Sequence, residues 1–241
     1  MRRIAIGLTL SLIAPMAAQA VECRDLTFDG ASYTACDVDP ATETLRLFLR
    51  DGDGVPLGSF SALQTHVAPA TVPFAMNAGM YHDDRSPVGL YIEDGAQEMR
   101  LVTSDGPGNF GLLPNGVLCL NDAAALIIES RAFAEDTPQC RDATQSGPML
   151  VIDGALHPRF IEGGTSLNIR NGVGQRADGS LVFAISNDPV NFHSFGRLFR
   201  DELGTPNALF LDGSVSRLHA PQLGRSDFSF SAMGPILAVI D

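Results

Sequence analysis

Ten Asp-Gly or Asn-Gly steps divide the 241-residue chain into short segments. Such steps readily adopt the positive φ angles that tight hairpin turns require. Apolar and β-branched runs lie beside many of them, which is typical of strands joined by hairpins. The steps begin at Asp29, Asp51, Asp53, Asp94, Asp105, Asn115, Asp153, Asn171, Asp178 and Asp212. This pattern predicts a hairpin-rich, mainly antiparallel twisted sheet.

The apolar runs near these steps define the predicted strands. They cover residues 44–50, 88–93, 149–152, 181–186, 207–211 and 235–240. Helix signals are few: apolar residues recur at helical spacing over residues 192–203, before Gly204, and residues 59–67 are a weaker candidate. Because no repeat, linker or change of composition divides the chain, we expect a single α+β domain over residues 21–241.

The first twenty residues have the features of a secretory signal peptide. Arg2 and Arg3 precede a short apolar stretch at residues 4–13, and Ala18-Gln19-Ala20 matches an A-x-A cleavage site. We therefore expect a mature chain that begins near Val21 and is periplasmic or secreted. The apolar stretch is too short to span a bilayer comfortably, so we expect no integral membrane segment after cleavage.

Export determines how the cysteines are interpreted. An even number of cysteines in an oxidising compartment predicts disulfides, and four cysteines allow three pairings. We favour Cys23–Cys36 and Cys119–Cys140, because each would close a local loop. A metal site is the weaker interpretation, since the chain has no C-x-x-C pair and no histidine at ligand spacing beside the cysteines.

The charge balance excludes some partners. The chain has 28 acidic residues against 16 arginines and no lysine, a formal charge of −12. Removal of Arg2 and Arg3 would change this charge to −14. A nucleic-acid binder needs a basic surface, so we expect no nucleic-acid partner. An anionic ligand would need a locally basic site.

Polar residues cluster where apolar strands are predicted to end, and binding sites are often built at such places. Asn77 is followed by small residues that leave room for a ligand beside its carboxamide. Ser146 and Gly147 could donate to an oxyanion. Each of these clusters also fits an ordinary turn.

Two charged residues extend this set of candidates. Arg170 lies between Ile169 and Val173 in a strand pattern, so its charge needs either a protein carboxylate or an anionic substrate. A guanidinium is well shaped for phosphate. Asp212 follows a buried strand and is either a catalytic or metal-binding carboxylate or the start of an Asx turn.

In this order, the clusters resemble motifs of the phosphodiester glycosidase family, and most closely those of its exported bacterial members. The matching segments are Asn77-Ala78-Gly79-Met80, Asn109-Phe110-Gly111 with Asn115-Gly116, Ser146-Gly147, Arg170 with Gly174, and residues 207–213. Two segments depart from the family pattern, and in the first Ala78 stands where the family has a glycine after the asparagine. The second is the segment that follows residues 207–211. Its D-G-G-G-S motif is Asp212-Gly213-Ser214-Val215-Ser216 here, so larger side chains replace two glycines.

The resemblance implies a hydrolase that cleaves the glycosidic bond of a sugar-1-phosphodiester. In our hypothesis Arg170 holds the phosphate, Asp212 acts at the anomeric carbon, and Asn77 orients the sugar or the phosphate. The other candidate substrate contacts are Gly79, Ser146, Gly147, Asn171, Gly213 and Ser214, with Glu93 and His193 as reserve acid–base groups. The expected partner is a phosphorylated carbohydrate or an envelope glycan, and no cofactor is expected.

Two other function classes stay open. In a metal-dependent phosphodiesterase, Asp212 and a second carboxylate would hold a divalent cation such as calcium. A non-catalytic protein that binds envelope glycans would keep the cleft without turnover, and the altered D-G-G-G-S segment favours it. The position of phosphorus in the products separates the first class from a glycosidase.

Overall fold

The computed structural model describes residues 21–212 and 215–241. The expected signal peptide at residues 1–20 and the candidate residues Gly213 and Ser214 lie outside the described residues. No helix within the described ranges has both the length and the apolar character needed to cross a membrane.

Seventeen strands form in these described ranges. In chain order they are β1 (Glu22–Phe28), β2 (Ala31–Val38), β3 (Leu45–Phe48), β4 (Phe74–Asn77), β5 (Tyr91–Glu93), β6 (Ala96–Met99), β7 (Gly116–Asn121), β8 (Ala124–Glu129), β9 (Asp142–Ser146), β10 (Met149–Ile152), β11 (Ala155–Leu156), β12 (Asn171–Gln175), β13 (Leu181–Ser186), β14 (Asn207–Phe210), β15 (Leu218–Ala220), β16 (Arg225–Ser226) and β17 (Ile236–Val239). Three α-helices accompany them: α1 (Phe60–Val67), α2 (Ser130–Asp136) and α3 (Phe192–Arg197).

The strands form three sheets whose described pairings are all antiparallel. The largest has the order β1-β2-β13-β12-β14-β10-β11, the second β16-β15-β4-β17-β3, and the third β6-β5-β9-β7-β8. The prediction of an α+β, single-domain protein with a mainly antiparallel sheet and few helices is confirmed.

The three sheets enclose one shared apolar core. Side chains alternate across a strand, so every second residue faces this core. Phe74 and Met76 of β4, Leu118 of β7 and Phe183 of β13 belong to it, although they come from three different sheets. Phe74 and Phe183 pack with their ring centroids 4.8 Å apart.

The outer face of each sheet packs on one helix. Ala75 of β4, on the face opposite the shared core, packs in a cluster with Phe60 and Leu63 of α1. The Ser59 side chain caps α1 by accepting the Ala62 N–H at 3.1 Å. Phe133 of α2 packs in the same way against the outer face of the third sheet.

Helix α3 covers the largest sheet and continues into a π-helical segment, Leu198–Glu202. Phe195 and Phe199 pack in one cluster with side chains from the outer face of β13. The predicted helix at residues 192–203 is therefore confirmed as two consecutive helical segments, and Gly204 follows with a φ of 67°. A short 3₁₀ helix, Pro221–Leu223, lies between β15 and β16.

Several Asp-Gly steps form the predicted hairpin turns. Asp29, Asp94 and Asp153 have φ angles of 49°, 51° and 47°, and each is followed by a glycine with positive φ. They join β1 to β2, β5 to β6 and β10 to β11. Asn115 and Asn171 behave differently, because both are fully buried and adjoin the start of a strand. At these two positions the turn interpretation of the step is wrong.

Some predicted strands are shorter than expected. Residues 88–90 do not pair in the ladder that begins at Tyr91. The Val88 N–H donates to the Met80 carbonyl, and the Leu90 N–H donates to Oε1 of Gln145. By contrast, Met149–Ile152 and Leu181–Ser186 match their predicted ranges.

Both predicted disulfides are present. Cys23 pairs with Cys36 across β1 and β2, where the two residues lie directly opposite each other. Cys119 of β7 pairs with Cys140, which precedes β9. Each bridge closes a local loop, as the sequence interpretation favoured.

Candidate active site

A pair of asparagines joins two sheets next to the turn that carries Asp212. Asn77 ends β4, and Asn171 begins β12. The Asn171 Nδ2 donates to the Asn77 Oδ1 at 3.0 Å and to the Asn77 carbonyl at 3.1 Å. The Arg217 backbone N–H also donates to the Asn77 Oδ1, at 2.8 Å. Both asparagines are fully buried, so the Asn77 oxygen is occupied by protein donors.

The chain that follows β14 passes from one sheet to the other. The Leu211 N–H donates to the Asn171 carbonyl at 3.1 Å, and the Asp212 N–H donates to the Ala78 carbonyl at 3.1 Å. These two bonds fix Asp212 at the junction between the sheets. The Ser216 hydroxyl lies 3.4 Å from the Asp212 carbonyl and 3.3 Å from the Asn171 Oδ1, and so supports the same turn of chain.

Arg170 is a buried cation held by neutral groups. Its Nε donates to the Val190 carbonyl at 2.8 Å, its Nη2 donates to the Ser166 carbonyl at 2.9 Å, and its Cζ lies 3.7 Å from the Phe192 ring centroid. None of the ion pairs between described residues includes Arg170. Burial lowers the pKa of Arg170 to about 10. Because this value is still well above 7, the guanidinium stays charged at neutral pH.

Arg170 and Asp212 line one cavity of about 430 Å³. The remaining wall is formed by Met80, Tyr81, Val88, Asn168 and residues 107–110. The structure therefore brings the predicted guanidinium and the predicted carboxylate to one space, although 42 positions separate them in the sequence. Asn77 is not part of the cavity wall.

Tyr81 is a wall residue that sequence reasoning missed. Its ring packs on Gly234, where a Cβ would lie 2.3 Å from the ring Cγ. Burial, with the negative charge of Asp212 as the next cause, raises the pKa of Tyr81 to about 12. The phenol therefore keeps its proton at neutral pH and can act as a donor. A tyrosine directly after the Asn77–Met80 segment was the available signal.

Gln145 holds the loop that completes the wall. Its Nε2 donates to the Val102 carbonyl at 2.6 Å, and its Oε1 accepts the Val102 N–H at 3.0 Å. The Asn115 Nδ2 donates to the Phe110 carbonyl at 3.0 Å. These amides fix both ends of the segment that carries residues 107–110.

Three predicted contact residues are packed inside the protein. A Cβ at Gly79 would lie 2.3 Å from the Thr144 Oγ1, so this glycine permits close packing against β9. Ser146 is fully buried, and its hydroxyl has no hydrogen-bond partner among the described residues. A Cβ at Gly147 would lie 2.5 Å from the Asn115 Cβ.

The two reserve acid–base candidates lie outside this cavity. Glu93 is on β5, where it accepts a 2.6 Å hydrogen bond from the Tyr91 hydroxyl, and burial raises its pKa. His193 lies at the start of α3 and lines a separate cavity of about 240 Å³ with Phe160 and Phe192. Strand β5 and helix α3 belong to different parts of the fold, which no sequence pattern indicated.

Sequence comparisons with known proteins find a matching family and a curated relative. A phosphodiester glycosidase family model matches residues 70–220. The uncharacterized protein YigE of Escherichia coli K12 is 34% identical over 220 residues, which cover 91% of this chain and 85% of YigE.

Solved structures at low identity show the same fold. The catalytic domain of zebrafish N-acetylglucosamine-1-phosphodiester alpha-N-acetylglucosaminidase, auto-inhibited by its pro-peptide, matches with a TM-score of 0.64 and 15% identity over 92% of this chain and 83% of that chain. A hypothetical protein from Synechocystis matches with a TM-score of 0.61 and 14% identity over 91% of this chain and 61% of that chain. A putative exported protein from Burkholderia pseudomallei matches with a TM-score of 0.57 and 12% identity over 87% and 74%. With a family model that matches more than half of its length, the chain belongs to the phosphodiester glycosidase family.

Proposed function

We propose that this protein is an exported hydrolase that cleaves the glycosidic bond of a sugar-1-phosphodiester. The observation that carries the proposal is the cavity of about 430 Å³ lined by both Arg170 and Asp212. In this cavity a guanidinium that can bind a phosphate lies in the same space as a carboxylate that can act on a sugar. The activity named for the similar zebrafish enzyme is of the same reaction type.

Arg170 binds the phosphate in this proposal. Two carbonyls and the Phe192 ring fix the guanidinium, so little side-chain entropy is lost when an anion binds. Its Nη1 donates to no described residue and is available to a phosphate oxygen. A buried cation without an ion pair gains most from an anionic ligand, because the ligand supplies the missing counter-charge.

Asp212 acts at the anomeric carbon, as a base toward water or as a nucleophile. The bond between the anomeric carbon and the phosphate oxygen breaks, and its electron pair leaves with the phosphate monoester. Water supplies the hydroxyl of the released sugar, and its proton passes to a base. Because a phosphate monoester is stable as an anion, the reaction needs less general-acid assistance than hydrolysis of an ordinary glycoside.

The remaining polar residues divide into donors and positioning residues. The Tyr81 phenol donates to a sugar or phosphate oxygen. Gly213 and Ser214 are proposed donors from the segment after Asp212. Asn77 and Asn171 act through position, because their hydrogen bonds to each other and to the Arg217 N–H hold the turn that carries Asp212.

Export is part of the proposal. Two disulfides and the likeness to a protein described as exported support a periplasmic or secreted protein whose first twenty residues are removed. The substrate is then a phosphorylated carbohydrate or an envelope glycan.

The test uses a synthetic sugar-1-phosphodiester and product analysis. The wild-type mature chain should release free sugar and leave the phosphorus on the aglycone. We expect Asp212→Asn and Arg170→Ala to lose about a hundredfold or more in rate, since each removes a group that contacts the reacting atoms. Arg100→Ala, at an exposed position, is the matched control.

Three outcomes would contradict the proposal. Phosphorus released with the sugar would indicate a phosphodiesterase instead. Saturable binding of the substrate without product would indicate a glycan-binding protein. Wild-type rates in folded Asp212→Asn and Arg170→Ala proteins would remove both residues from the reaction.

A further inference from the structure

A second buried arginine adjoins the site. Arg217 is 7% exposed, and its Nη2 donates to the Ser231 carbonyl at 2.8 Å. Its Nε and Nη1 donate to no residue within 21–212 or 215–241. Asp227 is the nearby acid, but its carboxylate already accepts from Arg225 at 2.9 Å and from the Leu218 N–H at 2.9 Å.

The most buried arginines of the described ranges lack ion pairs, as do the more exposed Arg85, Arg100, Arg131 and Arg159. Arg170 and Arg217 are the two arginines below a tenth exposed in the described ranges, and neither forms an ion pair there. Every arginine that does form one has a side chain at least 20% exposed. Buried charges normally require pairing, so both exceptions indicate a ligand that supplies the negative charge.

Arg217 lines two further cavities, a small one of about 100 Å³ that Asp227 also lines and a larger one that we call the second cavity. This second cavity has a volume of about 390 Å³, and Ser216, Ser229 and Ser231 line it with Arg217. No acidic residue of the described chain lies in its wall. The lining therefore combines one cation with hydroxyl donors, which suits a phosphate or a carboxylate.

The second cavity adjoins the first. Asn168 lines both of them. Tyr81, in the wall of the first cavity, has its pKa raised by the charge of Asp212 and lowered by that of Arg217, so the two charges act on the same phenol. One extended ligand could therefore contact Arg170, Asp212 and Arg217 together.

We propose that Arg217 forms a second anion subsite and that the substrate carries a second acidic group in addition to the phosphodiester held by Arg170. The proposal rests on the proposed function and deepens it by naming the substrate class. A chain of sugars joined by phosphodiesters has this character, because each sugar in it lies between two phosphates. A substrate with a neutral aglycone places no negative charge in the second cavity, so the charge of Arg217 stays uncompensated.

The kinetic test compares two substrates that differ only in the aglycone. One sugar-1-phosphodiester carries a neutral alkyl aglycone, and the other carries the same alkyl chain ending in a phosphate. We expect the wild-type kcat/KM to be at least tenfold higher for the second substrate, mainly through a lower KM. Arg217→Gln should remove most of this preference, and Arg217→Lys should restore part of it.

Three comparisons separate a specific loss of substrate preference from effects of net charge, of altered folding and of slower chemistry. Arg100→Gln changes the net charge equally and should keep the wild-type preference. Loss of the Ser231 contact alone would slow both substrates by the same factor and leave their ratio unchanged. Arg170→Ala should slow both, so its effect reports on the proposed function and not on the second subsite.

A binding experiment tests the subsite without turnover. Bisphosphates of alkanediols with three to eight carbons are titrated against the matching alkyl monophosphates. At least one bisphosphate should bind tenfold more tightly to the wild type, with the advantage lost in Arg217→Gln. If no bisphosphate binds more tightly and the two substrates react equally, the second subsite is refuted while hydrolysis of the neutral substrate still stands. Hydrolysis of neither substrate, with the bisphosphate advantage present, would overturn the proposed function alone.

Discussion

Two buried charges of this protein, Asp142 at the start of β9 and Arg170 directly before β12, have opposite kinds of surroundings. Asp142, at the start of the strand, is fully buried and forms ion pairs with Arg46 at 3.3 Å and Arg141 at 3.0 Å. It also accepts the Asp94 N–H at 2.9 Å. Arg170 is as deeply buried, but its guanidinium forms no ion pair with a described residue and contacts two carbonyls and the rings of Phe192 and Phe210.

The difference separates a structural charge from a functional one. The partners of Asp142 all come from the protein, so nothing further is needed to compensate its charge. Arg170 lacks that compensation and lies in a cavity wall, where an anion can supply it. Removal of the first charge should therefore reduce stability, and removal of the second should reduce activity.

The largest expected effect is on stability, at the paired charge of Asp142. Asp142→Ala should lower the free energy of unfolding by about 3 kcal/mol, because it leaves Arg46 and Arg141 without their shared acid and the Asp94 N–H without an acceptor. Denaturant unfolding measures the loss, and Asp142→Asn should recover part of it by restoring an acceptor. Equal stability of Asp142→Ala and wild type would break the comparison.

At the charge without an ion pair, Arg170→Met should reverse this pattern. Turnover of a sugar-1-phosphodiester should fall by about a hundredfold or more, because the phosphate loses its charged donor. The free energy of unfolding should change by less than about 1 kcal/mol, since an unpaired buried charge is replaced by an apolar chain. The Val190 carbonyl also keeps the Asn168 N–H as a donor. A large loss of stability in this variant would assign Arg170 a structural role.

Different features of the molecule also differ in how far the sequence predicts them. Local patterns are sufficient for the hairpin turn at Asp29, the strand Met149–Ile152 and the disulfide Cys23–Cys36, because each depends on neighbours along the chain. The placement of Arg170 and Asp212 in one cavity was expected from their positions at strand ends. That expectation depended on the order of the family motifs along the chain, because composition alone does not indicate which strand ends meet.

Contacts between sheets were beyond such reasoning. Asn77 and Asn171 are 94 positions apart, and nothing local to either indicates that their amides meet. Arg217 lies in a short connection after Ser216, and its burial depends on a loop that comes later in the chain. Glu93 looked like a reserve acid in the sequence, yet its strand lies away from the cavity.

A smaller effect should arise at the asparagine pair. Asn171→Ala removes both Nδ2 hydrogen bonds to Asn77, while the Arg217 N–H still donates to the Asn77 Oδ1. It should cost about 2 kcal/mol, because the buried Asn77 carbonyl and the junction lose hydrogen bonds. Turnover should fall as well, since the turn that carries Asp212 loses a support. Thermal unfolding and kcat measure the two losses, and Gln97→Ala at an exposed position on β6 is the control. A normal kcat in Asn171→Ala would show that the junction does not position Asp212.

Tyr81→Phe should have the smallest effect and sharpens the comparison between charged and neutral donors. Loss of one neutral hydrogen bond costs about 1 kcal/mol, so kcat/KM should fall by less than about tenfold, well below the loss in Arg170→Met. Because the pKa of Tyr81 is raised to about 12, the phenol stays protonated from pH 5 to 10. The pH profiles of wild type and Tyr81→Phe should therefore have the same shape over that range and differ only in height. A change in the shape of the pH profile would mean that Tyr81 ionises during the reaction. A fall in kcat/KM as large as that of Arg170→Met would mean that the phenol, and not the guanidinium, is the main donor in the cavity.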